Sequence, residues 1–219
     1  MKKIFLLSTI LLAGLILAYS TPFLAFGAET LIDSYSIDNV SSHNYIQADP
    51  SYWWAVGQSI NINTNINLTK IKLNIGKQAT NPTSQTRIGL YRVGLDSQGY
   101  YGVASGTALT YSNYIQDSNL PLINGDLQEY IFDGTFQILA NQDYVFQVER
   151  DNDTKSILIG TDITAPTATG VLSRHNYYQA GFCGVQSGKD LIYYIYGETL
   201  YTPPTITSLH QFKSDATST

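Results

Sequence analysis

Apolar and polar residues alternate along much of this chain, and the clearest alternation lies in residues 58–93. The apolar residues there occupy even positions first and odd positions afterwards: Ile60, Ile62, Ile66 and Leu68, then Ile71, Leu73 and Ile75. Neighbouring residues of a strand point to opposite faces, so a one-residue slip exchanges the two faces. The pattern therefore predicts a turn at residues 63–65 and a bulge near Thr69 and Lys70.

Shorter segments repeat this pattern in the rest of the chain. Residues 87–93 and 144–149 alternate as half-buried strands, whereas residues 191–197 are apolar or aromatic on both faces and suit the middle of a sheet. Residues 94–106 are expected to form a long polar loop. No segment has the amphipathic pattern of a three-turn helix. These features predict an all-β fold, a jelly-roll β-sandwich of about 8–10 short antiparallel strands.

The two ends of the chain differ from its middle. Lys2 and Lys3 precede an apolar run at residues 4–18, as in a signal peptide. We therefore predict a signal peptide at 1–28, a β-sandwich domain at 29–200 and a Pro/Ser/Thr-rich linker or tail at 201–219. This division implies a secreted or cell-surface protein with no stable membrane span after cleavage. A linker at residues 201–219 is also compatible with neighbouring domains beyond it. A retained N-terminal anchor is the alternative.

Charge and cysteine content narrow the choice of partners. Only 13% of the 219 residues are charged, and the net charge is −5. The basic residues are scattered and form no stripe for a phosphate backbone, so nucleic acid is not expected as a partner. Cys183 is the only cysteine. An intramolecular disulfide is therefore excluded, and a core of this size needs none.

Four segments of the chain resemble a β-sandwich module of secreted and cell-surface proteins of bacteria and archaea. They are GQSININTNINLTKIKLNIGK, NPTSQTRIGLYRV, FQILANQDYVFQVE and SGKDLIYYIYGE, and they cover most of residues 58–198. Such modules are similar to carbohydrate-binding or galactose-binding domains. The resemblance implies a jelly-roll core and no catalytic residue. The first loop of the family often reads Gly-Asn-Pro-Thr-Gly, whereas residues 79–84 here lack the last glycine.

The motifs that would identify an enzyme are missing from the sequence. The segment GFCGVQSGKD does not have the P-loop spacing, and the chain has no G-x-S-x-G or H-E-x-x-H motif and no cysteine cluster. A glycoside hydrolase needs two carboxylates at a fixed separation, and no pattern selects such a pair. We therefore expect a protein that is not an enzyme, with a glycoside hydrolase or lyase as the less favoured alternative.

Clusters of aromatic residues are the candidate ligand-binding residues. They occur in segments expected to be loops or strand ends: Tyr52, Trp53 and Trp54, then Tyr100 and Tyr101, and then Tyr177 and Tyr178. Flat rings with a polar group suit surfaces on which sugars stack. The alternative is that the two tryptophans close one end of the sandwich; if their segment is extended, only one of them can face the core.

We expect no cofactor, with structural calcium as the alternative. Its candidate ligands are the carboxylates Asp33, Asp38, Asp190 and Glu198, and Asp151 and Asp153 are further oxygen donors. Asp33 shares the phase of its apolar neighbours, and an inward carboxylate needs a partner such as a cation. The alternative is a solvent-facing Asp33 and an ordinary turn at residues 151–153.

Together these observations predict an exported, non-catalytic β-sandwich module for binding or adhesion, with a glycan or another cell-surface polymer as its partner. The prediction depends on the export signal, the strand pattern and the aromatic clusters. A structural spacer or assembly subunit without a small ligand is the alternative.

Overall fold

The computed structural model describes residues 28–46, 55–77, 82–123, 125–150, 155–164, 170–176 and 182–200. The predicted linker, and all of the predicted signal peptide except Ala28, lie outside these ranges. No helix in the described ranges combines the length and the apolar character of a membrane span.

Strands dominate the described part of the chain, and two short 3-10 turns are its helical elements, at Ile37–Asn39 and Asp117–Asn119. The strands are β1 (Thr30–Tyr35), β2 (Ser42–Ile46), β3 (Ala55–Ile62), β4 (Ile66–Leu73), β5 (Ile75–Lys77), β6 (Gln85–Leu95), β7 (Tyr101–Tyr111), β8 (Ile115–Gln116), β9 (Gln128–Ile131), β10 (Gln137–Ile138), β11 (Gln142–Arg150), β12 (Ile157–Asp162), β13 (Leu172–Asn176), β14 (Phe182–Gln186), β15 (Asp190–Leu191) and β16 (Tyr193–Thr199).

The strand order confirms the predicted jelly-roll sandwich. The first sheet has the order β1-β16-β4-β10, with β9 also on β4, and the second has the order β14-β13-β3-β11-β6-β7, with β8 also on β6. As a result, β1, β4, β10 and β16 form one layer, and β3, β6, β7 and β11 form the other. This is the double Greek-key order of a jelly roll.

A third, smaller sheet is built around β12. Its strand β12 pairs along one edge with β2 and along the other with both β5 and β15. Asn74 separates β4 from β5, and Ile192 separates β15 from β16. Gly160 joins the two breaks, because its N–H donates to the carbonyl of Asn74 at 2.7 Å and its carbonyl accepts from the N–H of Ile192 at 3.2 Å.

The change of phase in residues 58–93 has the structural cause that the pattern predicts. Residues 63–65 separate β3 from β4, and the register between β4 and β16 shifts where Tyr196 pairs with Lys70 and Gly197 pairs with Leu68. Thr69 is therefore the extra residue of a bulge. Apolar residues on both sides of the bulge reach the core as a result, including Leu68 and Ile71, both with no exposed surface.

The structure has more strands than the prediction of about 8–10, and one predicted loop is a hairpin. Single-residue interruptions at Asn74 and Ile192 divide long strands into shorter ones. Residues 94–106, predicted to form a loop, contain the paired ends of β6 and β7 and the short turn at residues 96–100 that joins them. The prediction of a loop was wrong because the segment is polar on its exposed side and contains Gly94, Gly102 and Gly106, which accommodate two register shifts.

The core lies between the two large sheets, and aromatic residues from both layers meet there. Phe146 of β11 packs against Tyr193 of β16, with ring centroids 5.3 Å apart. Strand β16 is paired on both edges, with β1 and β4, as its two apolar faces predict. The core also contains polar pairs, such as Gln58 and Asp190, which are both fully buried.

Candidate functional site

An arginine and two tyrosine rings form an exposed surface on the second sheet. The guanidinium carbon of Arg87, on β6, lies 3.5 Å from the ring centroid of Tyr111 on β7 and 5.0 Å from that of Tyr114. Glu149 stands opposite Arg87 on β11, and its Oε2 lies 3.1 Å from both Nε and Nη2 of Arg87. With Tyr91, which also contacts Glu149, these residues are called the Arg87 surface below.

Hydrogen bonds fix the short segment between the two exposed rings. Ser112 N–H donates to the carbonyl of Ile88 at 2.8 Å, and Ser112 Oγ accepts from Ile88 N–H at 2.8 Å. Asn113 Oδ1 accepts from Ile131 N–H at 2.8 Å, and Asn113 N–H donates to the carbonyl of Ile131 at 2.9 Å. The segment is therefore held by β6 on one side and by β9 on the other, so the rings project from a rigid base.

A glycine allows the rings to lie close to the sheet. A Cβ at Gly89 would lie 2.7 Å from Tyr91 Cε2, 3.0 Å from Glu149 Oε1 and 3.1 Å from Tyr111 Cε1. The Tyr91 hydroxyl donates to Glu149 Oε1. Because Gly89 has no side chain, the two rings and the carboxylate pack directly over the strand.

The charges of the Arg87 surface balance each other. Burial disfavours the charged guanidinium, but the charge and the hydrogen bonds of Glu149 outweigh burial, so the pKa of Arg87 is raised. The rings remain accessible, with Tyr111 39% and Tyr114 46% exposed. The surface thus offers aromatic faces beside an ion pair whose net charge is zero, an arrangement that can stack against an apolar face and hydrogen-bond to hydroxyl groups.

The predicted ligand residues Tyr100 and Tyr101 lie at the tip of the β6–β7 hairpin. They are 61% and 56% exposed, and the Tyr101 hydroxyl donates to Asp143 Oδ2 at 3.2 Å. Partial burial and the charge of Asp143 raise the pKa of the Tyr101 phenol. Tyr111 is at the opposite end of β7, so the structure does not bring Tyr100 and Tyr101 to the Arg87 surface.

The other predicted aromatic residues, Tyr52, Trp53, Trp54, Tyr177 and Tyr178, lie outside the described residues. The strand ends that lead to them are neighbours, because Ala55, the first residue of β3, pairs with His175 near the end of β13. Their role in ligand binding stays a prediction.

Two of the predicted calcium ligands accept hydrogen bonds from neutral side chains. Asp33 Oδ2 accepts from the Tyr193 hydroxyl at 3.0 Å, and Asp190 Oδ1 accepts from Gln58 Nε2 at 2.9 Å. Asp190 also stands opposite Asp162 across the β12–β15 pair. The inward position predicted for Asp33 is therefore satisfied by a tyrosine hydroxyl.

The other two predicted calcium ligands lie apart from each other. Asp38 is exposed in the first 3-10 turn and accepts from Ser36 Oγ at 3.1 Å, whereas Glu198 pairs with Asn67 near the end of β16. Across the described residues, no group of three or more His, Cys, Asp and Glu side chains is placed to hold a metal ion. The further donors Asp151 and Asp153 are outside those residues.

Comparisons with known families and curated proteins found no match for the chain. The resemblance of residues 58–198 to extracellular modules therefore stays an interpretation of their motifs.

The Arg87 surface is not among the residues predicted from the sequence. Its ion pair joins residues that are 62 positions apart, and only the register of β6 with β11 brings them together. One local signal was present: Arg87, Gly89 and Tyr91 share the outer face of an alternating strand, opposite the buried Ile88 and Leu90. That pattern marks a polar face with aromatic character, but it does not identify the partner strands.

Proposed function

We propose that the chain is an exported, non-catalytic β-sandwich module that binds a neutral, polyhydroxylated ligand such as a glycan through the Arg87 surface. The observation that carries this proposal is the placement of two exposed tyrosine rings, Tyr111 and Tyr114, next to a guanidinium already paired with Glu149. The signal-like N-terminus and the resemblance to extracellular modules support the proposed location.

The chemistry of this surface matches that of a sugar ring. A pyranose has apolar C–H faces that stack on an aromatic ring, and its hydroxyl groups lie at the ring edge, where planar polar side chains can bond to adjacent pairs of them. Glu149 supplies acceptors and Arg87 supplies donors beside the rings. Because these two charges cancel, the surface has no net charge with which to attract a strongly charged ligand.

A glycan array with the full chain tests the proposal. The variants Tyr111→Ala and Tyr114→Ala are compared with Tyr45→Ala, since Tyr45 is 52% exposed but lies on β2 in the third sheet. We expect the first two variants to lose binding at least tenfold, about 1.4 kcal/mol, and Tyr45→Ala to bind like the wild type. Absence of binding to any sugar, or equal binding by all three variants, would overturn the proposal.

Further variants distinguish this surface from the aromatic residues chosen by sequence. If Trp53→Ala or Trp54→Ala abolishes binding while Tyr111→Ala does not, the ligand binds at the two tryptophans instead. Concentration-dependent self-association in sedimentation without sugar binding would favour the alternative of a spacer or assembly subunit. Turnover of a bound sugar that disappears on replacing one carboxylate would indicate a carbohydrate-active enzyme.

A further inference from the structure

Arg174 differs from the other partly buried arginines in how its charge is compensated. Arg87 is paired with Glu149, and Arg150 is paired with Asp117. Arg174 is half-buried on β13, and its Nη2 donates to the side-chain carbonyl of Asn44 on β2. Among the described residues, no carboxylate lies within ion-pair distance of it, so its guanidinium has only a neutral partner.

The hydrogen bonding of Arg174 is also incomplete. Its Nε is buried and has no hydrogen-bond partner in the described part of the chain. Burial lowers the pKa of Arg174, and no carboxylate among the described residues opposes that effect. A buried charge without a counter-charge, and a buried N–H without an acceptor, each cost folding free energy. A group with negative charge at this position would remove both costs.

The surroundings of Arg174 supply a further donor for such a group. Its pairing partner on β14 is Gly184, so no side chain of β14 stands directly opposite it. Asn44 uses its carbonyl oxygen toward Arg174, so the Nδ2 group of the same side chain remains a donor. Asn44 is itself mostly buried, at 8% exposure, and it therefore fixes the orientation of the guanidinium.

We propose that Arg174 and Asn44 form a binding site for a small oxyanion, of the size of a carboxylate or a phosphate group. Guanidinium groups bind these anions through charge-assisted hydrogen bonds with planar geometry. The free Nε–H of Arg174 and the Nδ2 group of Asn44 supply the donors. The site is separate from the Arg87 surface and does not depend on glycan binding.

Thermal unfolding of the full chain in different anions tests this site. Phosphate and acetate are each titrated against sodium chloride at matched ionic strength. Binding to the folded state alone raises Tm in proportion to the logarithm of the anion concentration, by about 4 °C for each tenfold increase above Kd. A general salting-out effect of phosphate acts on the whole surface and does not depend on one arginine.

Three variants attribute the effect to the site. Arg174→Met and Arg174→Gln should lose the logarithmic rise, and Arg92→Met, which removes an exposed arginine from the same sheet, should retain it. Stabilisation by phosphate identifies an inorganic oxyanion, and stabilisation by acetate identifies a carboxylate; either result supports the site. The proposal is wrong if neither anion raises the Tm of the wild type beyond chloride, or if the Arg174 variants respond as the wild type does.

Discussion

At the scale of single residues, the Asp162 carboxylate accepts four hydrogen bonds. It accepts from the Tyr35 hydroxyl at 2.5 Å, from Ser41 Oγ at 2.9 Å, and from the N–H and Oγ1 of Thr164 at 2.8 and 2.7 Å. The bond from Tyr35 is the largest of the effects that lower the pKa of Asp162 far below its ordinary value. Asp162 therefore ties β1 and the start of β2 to the end of β12.

The lowered pKa makes the stability of the chain depend on pH in the acid range. The ionised form is favoured in the folded state, so its contribution is complete above the unfolded pKa of about 3.9 and is lost as pH falls below it. We expect Asp162→Asn to reduce the free energy of unfolding by about 2 kcal/mol at pH 7 and by less at pH 2. Urea unfolding at both pH values measures this difference.

A matched control for Asp162 is Asp133→Asn. Asp133 is exposed and accepts from Thr135 N–H at 3.0 Å, which lowers its pKa through a local turn alone. Its replacement should cost less than Asp162→Asn at pH 7. Equal costs for the two variants, or a cost for Asp162→Asn that does not change with pH, would contradict the assignment.

Gly160 is the residue at which a single methyl group should disturb the junction of the sheets. A Cβ there would lie 2.1 Å from Asn74 Oδ1 and 2.9 Å from Asn74 Cγ. We expect Gly160→Ala to lower the free energy of unfolding by about 2 kcal/mol through overpacking, as measured by urea denaturation. Adding Asn74→Ala should remove the clash, so the double variant should lose less than the two single losses together. Additive losses would show that the clash is not the cause.

At the scale of elements, the end of the β6–β7 hairpin contacts segments that are distant in the sequence. Val103 is 3% exposed, and a Cβ at Gly102, where φ is +137°, would lie 2.3 Å from Val171 Cγ2. The end of the hairpin therefore packs beside β13 and β14. Asp96 fixes this position: its Oδ1 accepts from the N–H groups of Gln98 and Tyr100, and its Oδ2 accepts from Val185 N–H at 3.2 Å.

We expect Asp96→Ala to release the hairpin end without unfolding the sandwich. The variant removes three acceptor contacts, each with a net contribution of about 1 kcal/mol. Hydrogen exchange should become faster at the amides of Tyr100 and Val185, and stay unchanged at Phe146 in the middle of β11. Protection at all three amides like that of the wild type would contradict the role of Asp96.

The same hairpin shows what the sequence could predict and what it could not. The phase slip at Thr69 is local, since the pattern on either side contains all the information, and it predicts the bulge correctly. The hairpin depends on contacts with β13 and β14 that are distant in the sequence. The Arg87 surface likewise needs the register of β6 with β11. Alternation reveals which residues are buried, but it does not reveal which strands are neighbours.

At the scale of the whole molecule, one buried arginine links the second sheet to the third. Arg150, at the end of β11, donates from Nε to Asp117 Oδ2 at 2.6 Å. Its Nη1 donates to the carbonyl of Ile46 in β2 at 3.3 Å and to the carbonyl of Lys155. The side chains of Arg150 and Asp117 are 1% and 0% exposed, so both charges depend on each other for compensation.

Breaking this ion pair should destabilise the whole sandwich. Arg150→Met leaves the Asp117 carboxylate buried beside an apolar side chain, and we expect a loss of about 3–5 kcal/mol in the free energy of unfolding. The double variant Arg150→Met/Asp117→Leu removes both charges and should recover part of that loss, since no uncompensated charge remains. Arg92→Met, at an exposed arginine, should change stability by less than about 1 kcal/mol. Urea unfolding followed by tryptophan fluorescence and by far-UV circular dichroism measures all three. If the double variant is no more stable than Arg150→Met, the arginine contributes through its contacts with β2 rather than by compensating Asp117.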